Sequence, residues 1–207
     1  MTRTSQVSLL ILTIFLVGLM AVLRAQTPPP SKVPTPLNAA AVLPLPEELR
    51  SAATIVERGV NGQYKVVRKG GNGIVCSAGK TTDGNFHASC AHELIFAAQM
   101  RRAALEGEFG KAGKPTDAKT LTAALTDEIK AGKVKLPDHP TTEFRMSGPA
   151  SGYNAAANTV SSEIKKWQMI HIPFATGASL SLPEKATPGM PWVMGSGMWN
   201  AHVMVEH

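Results

Sequence analysis

The stretch "ATIVERGVNGQYKVVRKGGNGIVC", Ala53–Cys76, constrains the fold more than any other part of the chain. Three β-rich runs at 54–57, 63–68 and 73–77 are separated by turns that contain glycine. Asn61-Gly62 is a strong signal for a two-residue hairpin loop, because both central residues of that turn adopt positive φ. The stretch therefore predicts a three-stranded antiparallel meander that ends near Cys76, followed by a polar loop over 78–89.

Two helices are predicted after the meander. Apolar positions within residues 90–113 recur at helical spacing and give one face with a single polar edge: Leu94, Ala97, Ala98, Arg101 and Leu105. The second helix begins after Thr116 or Asp117 as N-cap and ends at Gly132. Its buried seam comprises Leu121, Leu125 and Ile129.

Strand patterns return after Pro140, in "TEFRMSG", "WQMIHIPF", "PWVM" and "AHVMVEH". The order of elements predicts an α+β fold, in which an antiparallel sheet is packed by two helices. The sheet would combine the N-terminal three-stranded meander with the C-terminal strands.

The N-terminus has the pattern of an export signal. Arg3 precedes an apolar run over 7–23, and a proline-rich stretch follows. We interpret residues 1–25 as a signal peptide, with retention of 7–23 as a membrane anchor as the alternative. Residues 26–46 contain seven prolines and are interpreted as a linker, which leaves 47–207 as a single α+β globular domain.

The charge distribution argues against nucleic acid as a partner. Removal of residues 1–25 takes away Arg3 and Arg24 and no acid, so the formal net charge falls from +6 to +4. The remaining basic residues are scattered, and aromatic residues make up only 5% of the chain. A nucleic-acid surface needs a basic stripe with stacking aromatics. We expect an envelope partner or a small ligand instead, with membrane contact only through the N-terminal segment.

Cys76 and Cys90 are the two cysteines of the chain. In an exported protein such a pair predicts one disulfide. A zinc site that adds His87 and His92 is the alternative, although structural zinc sites usually show closer paired spacing.

The C-terminal strands carry methionine and histidine on alternate positions. Alternation places Met169 and His171 on one face of their strand, and His202 and Met204 on one face of the last strand. If these strands are neighbours, the four side chains form a cluster of thioethers and imidazoles, which favours copper. The alternative is a packed apolar layer, since methionine fills irregular gaps in protein cores.

A third candidate site is the loop "SGPASGYN", Ser147–Asn154. Ser151, Tyr153 and Asn154 could present polar groups to a ligand there, but no general base stands nearby in the sequence. Two stretches elsewhere fit S-x-x-K but no K-T-G element follows, and matches to the phosphate-loop and H-E-x-x-H patterns are incomplete. The sequence therefore leaves open whether the protein is an enzyme.

The chain contains short motifs at Gly71–Cys76 ("GNGIVC"), at Cys90 and over Gly189–Val205 ("GMPWVMGSGMWNAHVMV"). Through these motifs it resembles a widespread set of secreted proteins of uncharacterised function from acidobacteria and proteobacteria. The resemblance covers most of residues 53–205. Those proteins often carry Tyr at the position of His171, so the resemblance implies that His202 and Met204 are the shared pair. It implies export but no activity, substrate or cofactor.

These observations give three hypotheses for function. The first is an exported protein with a binding or structural role at the cell envelope and no cofactor. The second is a periplasmic copper-binding module that uses Met169, His171, His202 and Met204. The third is a small hydrolase-like enzyme with its site in the Ser147–Asn154 loop.

Overall fold

The computed structural model describes residues 36–59, 63–80 and 83–206. The predicted signal peptide, the alternative anchor over 7–23 and the Asn61-Gly62 turn lie outside these ranges. The helices of the described residues are α1 Pro36–Ala40, α2 Glu47–Arg50, α3 Glu93–Lys111, α4 Ala118–Lys130 and α5 Gly177–Leu180. No helix within these ranges is both long enough and apolar enough to cross a bilayer.

Eight strands form the main sheet in the spatial order β2-β1-β3-β4-β5-β8-β10-β9. Their bounds are β1 Thr54–Arg58, β2 Tyr64–Arg68, β3 Ile74–Lys80, β4 Phe86–His92, β5 Thr141–Gly148, β8 Lys165–His171, β9 Trp192–Met194 and β10 His202–Glu206. A separate two-stranded hairpin comprises β6 Tyr153–Asn154 and β7 Thr159–Val160, after a 3-10 turn at Ala150–Gly152. The predicted α+β class is confirmed, because helices pack against a mostly antiparallel sheet.

The predicted three-stranded antiparallel meander is wrong in its third strand. β1 and β2 pair antiparallel, but β3 pairs parallel with β1 on its other side. The reason lies in the segment after β2, where the amides of Gly71 and Asn72 both donate to the carbonyl of Ala52. These bonds carry the chain past the start of β1, so β3 emerges next to β1 and not next to β2.

The predicted polar loop over 78–89 is also wrong, since most of it forms a hairpin. β3 continues to Lys80, and β4 starts at Phe86. Ala88 is fully buried and pairs with Ala78. The strand was not predicted because its buried residues are small and alternate with polar ones. Cys76 and Cys90 lie directly opposite each other in this pair and form the predicted disulfide, with a Cα–Cα distance of 4.1 Å.

The two long helices form where the sequence predicts them. Asp117 is the N-cap of α4, and its carboxylate accepts a hydrogen bond from the Thr120 amide. In α3 the predicted stripe needs one correction: Ile95 is buried and Ala97 is exposed. The polar edge of the stripe has a structural role, because Arg101 binds Glu128 of α4 at 2.7 Å.

The globular fold begins earlier than the predicted boundary at residue 47. Ala40, Ala41 and Leu45 have at most 1% of their surface exposed. Ala41 and Leu45 pack in one cluster with Ile55 and the cystine. Residues 36–46 are therefore part of the fold and not an extended linker, because a short apolar run between prolines covers one face of the sheet.

The second face of the sheet is covered by α3, and α4 packs against α3. Ala98 and Leu105 of α3 pack with Leu121 and Leu125 of α4 and with Trp199 from the loop before β10. Between α3 and strands β5, β8 and β10 the covering layer is incomplete. A cleft opens there, and it contains the candidate site.

Candidate functional site

A cleft of about 670 Å³ lies between α3 and the C-terminal half of the sheet. Its floor is formed by alternate residues of β5, β8 and β10, and its walls include Gln99 and Arg102 of α3 and Trp199. Small-molecule sites generally occupy clefts of about 300–1,000 Å³ lined by apolar side chains and a few polar groups. The cleft thus has the size and lining of a ligand site.

Strand register arranges the floor in rows that run across the strands. The histidine row consists of Thr141, His171, His202 and Met194, which are successive cross-strand partners. The adjacent row consists of Glu143, Met169, Met204 and Trp192. Directly opposite residues on neighbouring strands lie roughly 5 Å apart. The four residues that the sequence analysis predicted as copper ligands are therefore cross-strand neighbours on one face.

A buried carboxylate lies at the centre of the floor. Glu143 has 0% of its surface exposed, and its two oxygens accept three hydrogen bonds. Arg145 Nε donates to Oε1 at 2.7 Å, while His171 Nε2 at 2.8 Å and Gln99 Nε2 at 3.1 Å share Oε2. Burial of a charge costs several kcal/mol unless it is paired and hydrogen-bonded, and here every oxygen has donors.

This network keeps Glu143 ionised. Burial opposes ionisation, but the hydrogen bond from His171 and the charge of Arg145 outweigh it and lower the pKa of the carboxyl to about 2. Strongly perturbed carboxyls inside clefts are concentrated at functional sites. Glu143 therefore marks this cleft as the strongest candidate site among the described residues.

The hydrogen bonds determine which nitrogen of each histidine is available. An ionised carboxylate can only accept, so His171 Nε2 carries the proton and Nδ1 has a lone pair in the neutral ring. His202 Nδ1 donates to the backbone carbonyl of Asn200 at 2.8 Å, which leaves its Nε2 lone pair. Burial lowers the pKa of His202, so this ring is neutral at pH 7. The two rings are 5.2 Å apart between centroids.

Three polar atoms at the edge of the cleft have no hydrogen-bond partner within the described part of the chain: His171 Nδ1, Trp199 Nε1 and Asn200 Oδ1. His171 and Trp199 have only 4% and 2% of their surface exposed. An unpaired buried polar group costs about 1–3 kcal/mol. A ligand in the cleft could offset that cost by pairing with these atoms.

The other end of the cleft is cationic. Lys165 is six residues before His171 on β8, which is about 20 Å along an extended strand. Arg145 lies on β5 opposite Trp167, and Arg102 lines the wall from α3. The cleft therefore has a histidine end and a cationic end, with tryptophan and methionine between them.

The loop residues Ser151, Tyr153 and Asn154 do not line this cleft. Tyr153 stacks on Phe86 with ring centroids 4.8 Å apart, and burial raises the pKa of its hydroxyl. Asn154 Oδ1 accepts from the amides of residues 156 and 157, and Ser151 is exposed. Tyr153 thus packs against β4, and the Asn154 side chain makes its hydrogen bonds within the β6–β7 hairpin.

The alternative zinc site at the cysteines does not form, because both thiols are used in the disulfide. His92 Nδ1 instead accepts the amide of Leu94 and caps α3. No group of three or more histidine, cysteine, aspartate or glutamate side chains within residues 36–59, 63–80 and 83–206 is placed to hold a metal ion. A metal at the histidine row would need thioether ligands.

Several cleft residues were not identified from the sequence. In the sequence, Glu143 and Arg145 occupy the polar positions of "TEFRMSG", which is typical of a half-exposed strand. Gln99 occupies a polar position of the predicted helix. An acid and a base two residues apart on a strand share a face, which is the one local signal that was available. The burial of Glu143 follows from the packing of α3 on the sheet, and no local pattern encodes that.

Comparison of the chain with protein-family models, with curated proteins and with solved structures gives no match.

Proposed function

We propose that the protein is an exported binding protein whose cleft holds a small organic anion with an apolar or aromatic body. The observation that carries this proposal is the lining of the cleft. Arg102, Arg145 and Lys165 line it together with two tryptophans, while its one carboxylate, Glu143, is already hydrogen-bonded.

Charge supports an anion. The three cations outnumber the single carboxylate, so the lining has a positive balance when the histidines are neutral. Arg145 binds Glu143 through Nε, which leaves the two terminal amino groups of the guanidinium for a ligand. Arginine recognises carboxylate, sulfonate and phosphate groups well, because its planar fork presents donors in parallel.

The apolar lining supports a ligand with a sizeable body. Trp167, Trp199 and Met204 contribute flat or flexible apolar surface to the lining of the cleft. The Trp199 indole N–H, which has no hydrogen-bond partner among the described residues, adds one directed donor for an acceptor atom on the ligand. Export is supported by the Cys76–Cys90 disulfide, since structural disulfides persist mainly in oxidising compartments.

The test uses a matched pair of fluorescent probes that differ in charge. 8-Anilinonaphthalene-1-sulfonate is an aromatic anion, and N-phenyl-1-naphthylamine has the same rings without the sulfonate. The anion should bind one site saturably and more tightly than the neutral probe, with weaker binding as the salt concentration rises.

Two neighbouring lysines provide the control. Lys165→Ala removes a cation that lines the cleft and should weaken binding of the anion by about two- to fivefold. Lys166→Ala removes the same charge from the opposite face of β8 and should leave binding unchanged. Equal binding of both probes, or equal effects of the two substitutions, would refute the proposal.

A further inference from the structure

We infer that the histidine row is a site for a soft metal ion, Cu(I), bound by His171 Nδ1, His202 Nε2 and the thioether of Met194. The site lies at the end of the cleft opposite the cationic residues. It goes beyond the proposed anion site, and neither depends on the other.

The first argument is the orientation of the two imidazoles. In protein metal sites, a ligating histidine almost always donates its other ring N–H to a carboxylate or a backbone carbonyl, which fixes the tautomer. His171 donates to the Glu143 carboxylate, and His202 donates to the carbonyl of Asn200. Each ring therefore donates one N–H to an acceptor and keeps a lone pair on its other nitrogen.

The second argument is spacing. Two imidazoles that bind one ion at about 2.0–2.1 Å with tetrahedral angles have their ring centres roughly 5 Å apart. The rings of His171 and His202 are 5.2 Å apart at an interplanar angle of 43°. His171 Nδ1 is buried and has no hydrogen-bond partner among the described residues, which is consistent with a ligand atom.

The third argument identifies the thioether. Met194 on β9 is the cross-strand partner of His202, on the side opposite His171. It lines the cleft, yet 45% of its surface is exposed. A partly exposed thioether side chain therefore lies beside His202 on the cleft side of the sheet. Met169 and Met204 in the adjacent row are buried and keep that side of the site apolar.

The donor set selects the metal. Zinc sites use cysteine, histidine and carboxylate ligands, usually three or more from the protein, and the histidine row supplies only two of these. Glu143 already accepts three hydrogen bonds. Thioether sulfur is a soft ligand that selects Cu(I), so two imidazoles with a thioether favour Cu(I) over Zn²⁺.

The test is an anaerobic Cu(I) titration of the purified protein, with ascorbate as reductant so that the disulfide stays intact. Bicinchoninate competes for Cu(I) and reports the free ion by its absorbance. We expect one equivalent of Cu(I) to bind. Met194→Leu and His202→Gln should each weaken that binding by about 10- to 100-fold or more, since loss of even a group that only hydrogen-bonds to a ligand has an effect of that size.

Met198→Leu is the matched control, because Met198 is 46% exposed and does not line the cleft. Met194→Leu keeps the size of an exposed side chain and removes only its sulfur, so the fold is preserved. Absence of Cu(I) binding, equal affinity of Met194→Leu and Met198→Leu, or equally tight binding of Zn²⁺ would each overturn the inference. Probe binding at Lys165 is measured without metal, so failure of one proposal is distinguishable from failure of the other.

Discussion

The buried Glu143 network gives the most quantitative prediction. Substitution of Glu143 by Gln keeps the volume but removes the charge, and an amide offers one acceptor oxygen where three donors converge. At least one donor then loses its partner, and a hydrogen bond to a charged group is worth about 1.5–3 kcal/mol. We therefore expect Glu143→Gln to lower the free energy of unfolding at pH 7 by about 2–3 kcal/mol.

The same carboxyl makes stability depend on pH, with a definite sign. Its pKa falls from the ordinary value of 4.5 to about 2 on folding. A lowered folded-state pKa contributes stability that is fully present above pH 4.5 and is lost as the pH falls towards 2. The difference of roughly 2.5 pKa units corresponds to about 3 kcal/mol.

Urea unfolding measures both effects, with tryptophan fluorescence as the signal and the disulfide intact. Wild-type protein and Glu143→Gln are compared between pH 7 and pH 2.5. The wild type should lose about 2.5 kcal/mol more than the variant over this range, since part of the effect remains at pH 2.5. Other carboxyls with lowered pKa contribute equally to both proteins and cancel in the difference. Parallel pH profiles, or a variant as stable as the wild type at pH 7, would show that Glu143 is not the ionised centre of the network.

Two further comparisons test the fold. Gly70→Ala should lower the free energy of unfolding in urea by about 1–3 kcal/mol or more, because a Cβ there overlaps the backbone of residues 52–54. At Gly71 a Cβ has open space, so Gly71→Ala should change stability by less than about 0.5 kcal/mol. Equal effects of the two substitutions would contradict the close passage of this segment beside β1. Joint replacement of Cys76 and Cys90 by Ser should lower the free energy of unfolding by about 3 kcal/mol in the same assay, and an unchanged midpoint would indicate that the cross-link does not constrain the unfolded chain.

Local patterns in the sequence account for much of the secondary structure. Helical spacing and an N-cap predicted α4 nearly to the residue, since Asp117 and Gly132 mark its ends through short-range hydrogen bonds and backbone conformation. Strand alternation placed His171 and Met169 on one face. Composition and cysteine count predicted one disulfide, because each of two cysteines has a single possible partner.

Pairings between distant segments were not encoded in those patterns. The parallel pairing of β1 with β3 depends on hydrogen bonds from Gly71 and Asn72 to Ala52. The burial of residues 38–45 depends on an apolar sheet face that they cover. Both are long-range contacts whose free energy exists only after the chain has folded, so a window of neighbouring residues contains no sign of them.

The candidate site, too, was predicted in part by the sequence and decided in part by the tertiary structure. The sequence by itself determined which residues share a strand face, since the period of two is a property of the extended backbone. Only the tertiary structure decided that Gln99 of α3 and His171 of β8 meet Glu143, which removes the carboxylate from water and adds two donors to Arg145 on its own strand. Only strand register decided that Met194 lies beside His202. Burial and register arise from the packing of whole elements, and they turn ordinary strand residues into a cleft with a charged centre.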